Sequence, residues 1–445
     1  MTHYKIILSA ILFAAAYATS YAQTNGSNSS YSRYGLGTLD DQSQGFNKGM
    51  SGLAIGQRAG NRVNMTNPAS YSSVDSLSFI FDMGMSLQNG IFKSGNNRIN
   101  AYNTSLDYIN AAFRIAPKLG VSFGFVPYSS IGYNYTESNS EYDPTTGYTN
   151  TSTVTYYGDG GIHELYIGAG WEPVKGLSIG ANIAYLWGNY YHTLTQSLSA
   201  NNNSSSLNSN TLNRQYNADI STYKADFGLQ YNIAAGKNNQ ITLGAIFGLG
   251  HNTDDQATLL NYSTNSDSIQ YTAAKAFDLP YSFGAGFSWT HKERFMIGAD
   301  VHHERWANCK LPEIKTTTDN SGYNQMTYQA TTGAYLNRTK YILGAEFHPD
   351  RYGNRYVQRI QYKIGASYST PYVKVNGING PSEVNVSAGV GLPIINGINN
   401  RSVVNVSVQW TRVMPSVSSM ITENYLKLNI GVTFNERWFM KWKIN

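Results

Sequence analysis

The sequence predicts an all-β fold: a transmembrane antiparallel β-barrel of about 14 strands with an N-terminal plug in its lumen. Three observations point there. Large apolar residues recur at every second position in one segment after another. The connections between those segments alternate between short turns and long polar tracts, and the charges inside them avoid the apolar face.

Residues 1–22, MTHYKIILSAILFAAAYATSYA, join Lys5 to an apolar run from Ile6 to about Tyr17, with Ser20 and Ala22 ahead of Gln23. That is the form of a secretory signal peptide. A spanning helix needs roughly 20 apolar residues, more than this run supplies, and no other window holds such a run. Charged residues make up 13% of the chain, about half the usual share. An equal 13% of aromatics argues against disorder. Removing residues 1–22 takes one lysine and no acid, so the net charge falls from +5 to +4, too small an excess for a nucleic-acid partner. Cys309 is the only cysteine and lies far from the cleavage site, which leaves neither a lipid-anchored N-terminus nor an internal disulfide. The mean hydropathy of −0.36 is compatible with a barrel, whose strands alternate and average to little.

Residues 23–75 form the expected plug (hatch). They are glycine-rich (YSRYGLG, GFNKGMSGLAIG), lack sustained alternation and precede the first strand, with a short helix expected over 48–55. The barrel is expected over 76–434. In its first strand Leu77, Phe79, Phe81, Met83, Met85 and Leu87 share one face, opposite Ser78, Asp82, Gly84 and Ser86. The same period marks 109–115, 121–125, 165–171, 177–187, 223–231, 241–249, 281–289, 295–301 and 341–347. The phase then moves to even numbers over 360–366, 384–392, 404–410 and 426–434. Short turns fall at PKLG (117–120), EPVKG (172–176), AAGKNN (234–239) and THKER (290–294); the polar tracts 135–161 and 192–218 read as outer loops. GDGG at 158–161, too short for a phosphate cradle, reads as a turn.

A basic residue on the lipid face near the midplane costs roughly 2–4 kcal/mol, so charges inside strands should look into the lumen. Asp82, Arg114, Glu164, Lys224, Asp226, Asp300, Glu346 and Lys363 all fall on the non-apolar phase. Trp171, Trp187, Trp289 and Trp410, at strand ends, suit an interfacial girdle. A soluble sandwich also alternates. Strands of about ten residues, matching a tilted bilayer span, and the alternating loop lengths favour the barrel. Residues 435–445, NERWFMKWKIN, either extend the last strand or form a periplasmic-side tail.

Two places carry functional readings. Asn67-Pro68-Ala69 precedes the first strand; Asn bonds its own backbone in a turn and Pro fixes φ, so the tripeptide is either a plug motif or an ordinary turn entering the strand. Pro127 lies inside the third strand, where it cannot donate to the ladder. It marks either a harmless bulge near the rim or a lateral opening formed by Pro127, Tyr128, Ser129 and Ser130. His302 and His303, adjacent in a strand, point to opposite faces and cannot share a metal. Asp143, Asp254 and Asp255 lack the spacing of a calcium loop. With neither GxSxG nor HExxH present, no enzyme, metal or cofactor is expected.

An N-terminal plug with Asn67-Pro68-Ala69 shortly before the first of fourteen strands resembles the FadL/TodX family of outer-membrane channels for long-chain fatty acids and other hydrophobic compounds, and in architecture the resemblance covers essentially the whole mature chain. It implies residence in the outer membrane of a Gram-negative bacterium, contact with outer-membrane lipid, and passive uptake of a hydrophobic small molecule. It also implies displacement of the plug and release through a kink in the third strand near Pro127. The alternative is a non-transporting structural barrel, a subunit of an outer-membrane assembly, secretion or surface complex with the outer loops as its contact surface.

Overall fold

The computed structural model describes residues 27–201, 206–264, 266–318, 324–351, 353–394 and 402–437. The signal segment 1–22 and the chain beyond 437 lie outside the described residues. Fourteen long strands run up and down in sequence order: β1 (Ser78–Ser94), β2 (Asn97–Ala116), β3 (Leu119–Asp143), β4 (Tyr148–Val174), β5 (Leu177–Asn201), β6 (Ser206–Ala234) and β7 (Asn239–Gly248), then β8 (Ser282–His291), β9 (Phe295–Glu304), β10 (Arg338–Phe347), β11 (Gln361–Ser369), β12 (Ser382–Pro393), β13 (Val403–Met414) and β14 (Thr422–Arg437). Each pairs antiparallel with the next, and β14 returns to β1 from Ser78↔Arg437 to Lys93↔Thr422, which closes the ring. Every alternating segment of the sequence falls on one of these strands, with Leu77, Leu249, Tyr281 and Ile360 just beyond their ends. Asn435–Arg437 extend β14 beyond the last apolar position.

Alternation becomes a sided wall. Leu165, Ile167, Ile183 and Leu343 are 51–64% exposed on the outside, whereas Asp82, Glu164 and Asp300 on the other phase are buried. At one end the strands join through short turns: 117–118, 175–176, 235–238 and 292–294.

The other end departs from the expectation of loops. Tracts 135–161 and 192–218 continue β3 to β6 as strands of 25, 27, 25 and 29 residues, and the β3–β4 hairpin reverses only at 144–147. Beyond the apolar band the outer face no longer meets hydrocarbon, so its apolar half of the period vanishes while the ladder goes on. What holds these extensions is a row of cross-strand hydroxyl pairs: Thr136–Thr155 at 3.1 Å, Ser138–Thr153 at 3.2 Å and Ser140–Thr151 at 3.0 Å. GDGG likewise lies inside β4 and is not a turn. Gly160 and Gly161 take φ of +131° and +141°, and a Cβ there would come within 2.1 Å of the Asn189 carbonyl oxygen and 2.5 Å of that of Ser129. The hairpin 257–273 widens the extended sheet by pairing with β6. Tyr133, Tyr190, Phe277, Trp306 and Tyr335 belong to a hydrophobic cluster in this upper part. The helix expected over 48–55 is replaced by a single turn at Gly45–Lys48, followed by turns, because the segment is shaped by its contacts with the wall rather than by its own hydrogen bonds.

Candidate functional site

Residues 27–77 run against the inward phase of the strands. Asn67 caps a 3-10 helix, Pro68–Ser73: its Oδ1 accepts from the Ala69 N–H, and its Nδ2 donates to the carbonyls of Ile55 at 2.9 Å and Leu229 at 3.2 Å. Asn67 and Ala69 are fully buried. They sit on a row of glycines, Gly170↔Gly180↔Gly228, that crosses β4, β5 and β6 in register. A Cβ at Gly170 would be 2.3 Å from the Pro68 carbonyl oxygen, at Gly180 2.4 Å from the Pro68 carbonyl carbon, and at Gly228 2.2 Å from Asn67 Oδ1. The tripeptide therefore rests on the wall backbone to backbone.

Polar anchors surround this seat. Asp300 Oδ2 accepts from the Ala54 and Ile55 N–H groups at 2.7 and 2.8 Å. Arg62 bonds Glu346 at 2.6 Å, and Gln42 donates to Glu164 at 2.9 Å. Glu164 also holds Lys224, which reaches Asp226 at 2.7 Å. Asp82 accepts from Thr433 and Tyr108, and Lys363 donates to Asn405 at 2.7 Å. Arg114 stands apart, half-buried and donating to the carbonyl of Ala116 near the turn.

Among the ion pairs that escape a reading of the sequence are Lys48–Asp107 at 3.1 Å and Arg58–Glu172 at 2.7 Å. Asp107 stands on the apolar phase of its strand. In the fold it is the extra residue of a bulge, between Gly84↔Tyr108 and Met85↔Leu106, which turns it inward. An acid interrupting an apolar phase beside Leu106 is the signal that exposes such a bulge. Burial would lower the pKa of Lys48, but Asp107 and Asp41 outweigh it and hold the pKa above its ordinary value. Asp40, desolvated, is pushed up to about 6.

The wall is incomplete at one seam. β2 and β3 pair from Ala116↔Leu119 up to Ile109↔Phe125; beyond that β2 pairs only with β1. Above Phe125, β3 pairs with β4 through a bulge at Tyr128, between Pro127↔His163 and Ser129↔Ile162. Pro127 has no N–H for the missing side. From the N-terminal segment Thr38 and Leu39 pair with Ser130 and Ser129, and the Asp40 N–H donates to the Tyr128 carbonyl at 3.0 Å. Behind the seam lies a cavity of about 880 Å³. Leu106, Phe125 and Pro127 line it at the seam, together with Thr38 to Asp41 and Lys48 of the N-terminal segment and Glu423 and Lys427 of β14. His302 and His303 take no part: His302 lies 3.6 Å from Glu304 and His303 bonds Thr339.

Solved structures share this architecture. The CymD monoaromatic hydrocarbon channel aligns with a TM-score of 0.55 at 14% identity, over 90% of this chain and 98% of its own. The Pseudomonas putida toluene transporter TodX aligns at 0.54 and 14%, covering 89% and 98%. A Pseudomonas aeruginosa FadL homologue aligns at 0.57 and 10%, covering 90% and 99%. No curated protein matches the sequence. The fold is thus that of the FadL/TodX channels. The profile of one family, BamG, matches residues 2–445: the chain belongs to the BamG family, carried on the closed barrel that these channels share.

Proposed function

We propose that the protein is an outer-membrane channel for passive uptake of a hydrophobic small molecule, released sideways through the seam between β2 and β3. The observation that carries this reading is the cavity reaching the unpaired wall at Pro127, beside the apolar Leu106 and Phe125. A greasy solute leaving there enters lipid directly instead of crossing a polar lumen. The apolar residues at the seam and the charged Lys48, Glu423 and Lys427 suit an amphiphile of the fatty-acid kind, and the structural neighbours named for hydrocarbon and toluene support a hydrophobic solute. No chemistry on the solute is required.

In this reading residues 23–75 act as the plug, and opening needs little of it to move. Thr38 and Leu39 hold β3 by two residue pairs, each backbone bond worth about 0.5–1.5 kcal/mol net. Lifting the deeper part would break the Lys48–Asp107, Arg58–Glu172 and Arg62–Glu346 pairs together with the buried bonds of Asn67. Displacement therefore belongs to 38–40 and not to Asn67-Pro68-Ala69.

A disulfide tests this. Leu39 and Ser129 are register partners, with the Asp40–Tyr128 bond next to them. They form a close, non-hydrogen-bonded pair whose Cα separation of about 4.5 Å suits a disulfide. In Leu39→Cys/Ser129→Cys, uptake of labelled oleate and toluene by producing cells should fall at least fivefold on oxidation and return with dithiothreitol. Uptake unchanged by the crosslink sinks the lateral route. The second reading, a structural subunit of a surface complex, is favoured by the height of β3 to β6 above the apolar band.

A further inference from the structure

Above the seam, β3 ends the extended sheet as an open edge. On its β4 side it is paired to Asp143↔Tyr148. On the other side this chain uses only the lowest groups: the Tyr128 carbonyl takes the Asp40 N–H, and Gly132 donates to Ser32 Oγ and accepts from Ser27 Oγ. By the two-residue period the same row continues through Asn134, Thr136, Ser138, Ser140 and Tyr142, whose outward backbone groups have no partner among the described residues. The Gly132 N–H and carbonyl both face away from β4, and with no register shift above Ser129 the two-residue period turns the backbone of Thr136 the same way.

We propose that this outer edge of β3 receives an extended, basic strand from a partner protein at the cell surface. It goes beyond the uptake reading and stands without it. Three observations carry it. The edge already accepts an added strand, because Thr38–Leu39 pair with it lower down, and the vacant row continues from that contact. Residues 128–143, YSSIGYNYTESNSEYD, contain neither Lys nor Pro, the residues that usually protect a solvent-facing edge. One face of the same edge carries Glu137, Glu141 and Asp143, none of which has a basic partner among the described salt bridges; their register partners Val154, Asn150 and Tyr148 are uncharged. A second copy, paired antiparallel, would set these acids against each other, so the acidic row selects a basic strand. With roughly 3.3 Å per residue, 131–143 offers about 40 Å of edge, enough for backbone pairing to give affinity and the acids to give specificity.

The test uses the full-length protein in its own outer membrane, with photoreactive benzoylphenylalanine at Ser138. The expected result is a discrete adduct of one mass, absent when the probe sits at Thr153 in β4, which is paired on both sides. Thr136→Pro/Ser140→Pro removes outward donors without breaking the β4 ladder and should cut the adduct at least tenfold, with Thr136→Ala/Ser140→Ala as the folding control. Glu137→Lys/Glu141→Lys, which leaves the backbone intact, should cut it as strongly. No adduct, an adduct indifferent to both pairs of substitutions, one of the mass of a second copy, or one within the same chain to residues 97–106 would each overturn the proposal.

Discussion

Lys48→Ala is expected to lower unfolding stability by about 3–5 kcal/mol, while Lys48→Met with Asp107→Leu returns it close to the parent. Lys48 and Asp107 have side chains 6% and 9% exposed and meet at 3.1 Å. Both also line the cavity behind the seam, so a partner left alone is exposed only from that side. The other oxygen of Asp107 is already engaged by Ser86 at 2.8 Å and Ser105 at 3.0 Å, so truncating the lysine leaves a largely buried carboxylate without its counter-charge. Removing one partner of a buried pair is costly for that reason, whereas replacing both by apolar groups of similar size is often neutral. The Lys48 carbonyl, which accepts from Gln409 at 3.1 Å, stays in place in either variant. Urea unfolding in lipid vesicles reads the difference, and protease cleavage within 27–77 should rise in the single variant only. A single variant within 1 kcal/mol of the parent would mean that this pair does not hold the N-terminal segment.

The barrel was legible because its cause is simple and repeats: a strand between lipid and lumen must alternate, and fourteen of them did. Legibility failed wherever the same alternation lost its meaning. Above the apolar band Thr, Ser and Tyr occupy both faces of β3 to β6, so 135–161 and 192–218 look like loops although 135–143, 148–161, 192–201 and most of 206–218 are in register with a neighbouring strand. At Asp107 a bulge shifts the phase, and a residue that the alternation of 109–115, carried back by two, would put on the lipid face turns to bond Lys48. Asn67-Pro68-Ala69 was visible as a rigid bend. Its counterpart was not, because Gly170, Gly180 and Gly228 are about 100 residues and more away, and each taken singly looks like a weak strand position. Only the register of three strands brings them into one row. Pro127 announced a break in the ladder; that β2 stops pairing at Ile109, and that Thr38–Leu39 take part of its place, depends on long-range pairing that no local pattern encodes.

Gly180→Val should dislodge the 3-10 helix Pro68–Ser73 without unmaking the barrel. A Cβ at Gly180 would stand 2.4 Å from the Pro68 carbonyl carbon and 2.5 Å from both the Ala69 nitrogen and the Pro68 carbonyl oxygen. All three are backbone atoms, so no side chain can swing aside. β5 cannot retreat either, because it is paired to β4 and β6 at this level. The helix must therefore move, and with it the bonds from Asn67 to Ile55 and Leu229. Overpacking of a close-packed site costs about 1–3 kcal/mol, and the loss of these buried bonds adds to it. Ala181→Val, one position along on the lipid phase, places a valine outside the wall and should change little. Gly228→Val should copy the effect of Gly180→Val, since its Cβ would fall 2.2 Å from Asn67 Oδ1. The readout is protease cleavage within 27–77 in a barrel that still shifts on heating in gel electrophoresis. If the segment stays protected in both glycine variants, the tripeptide does not depend on this row for its seat, and the anchors at Asp300 and Glu346 must hold it alone.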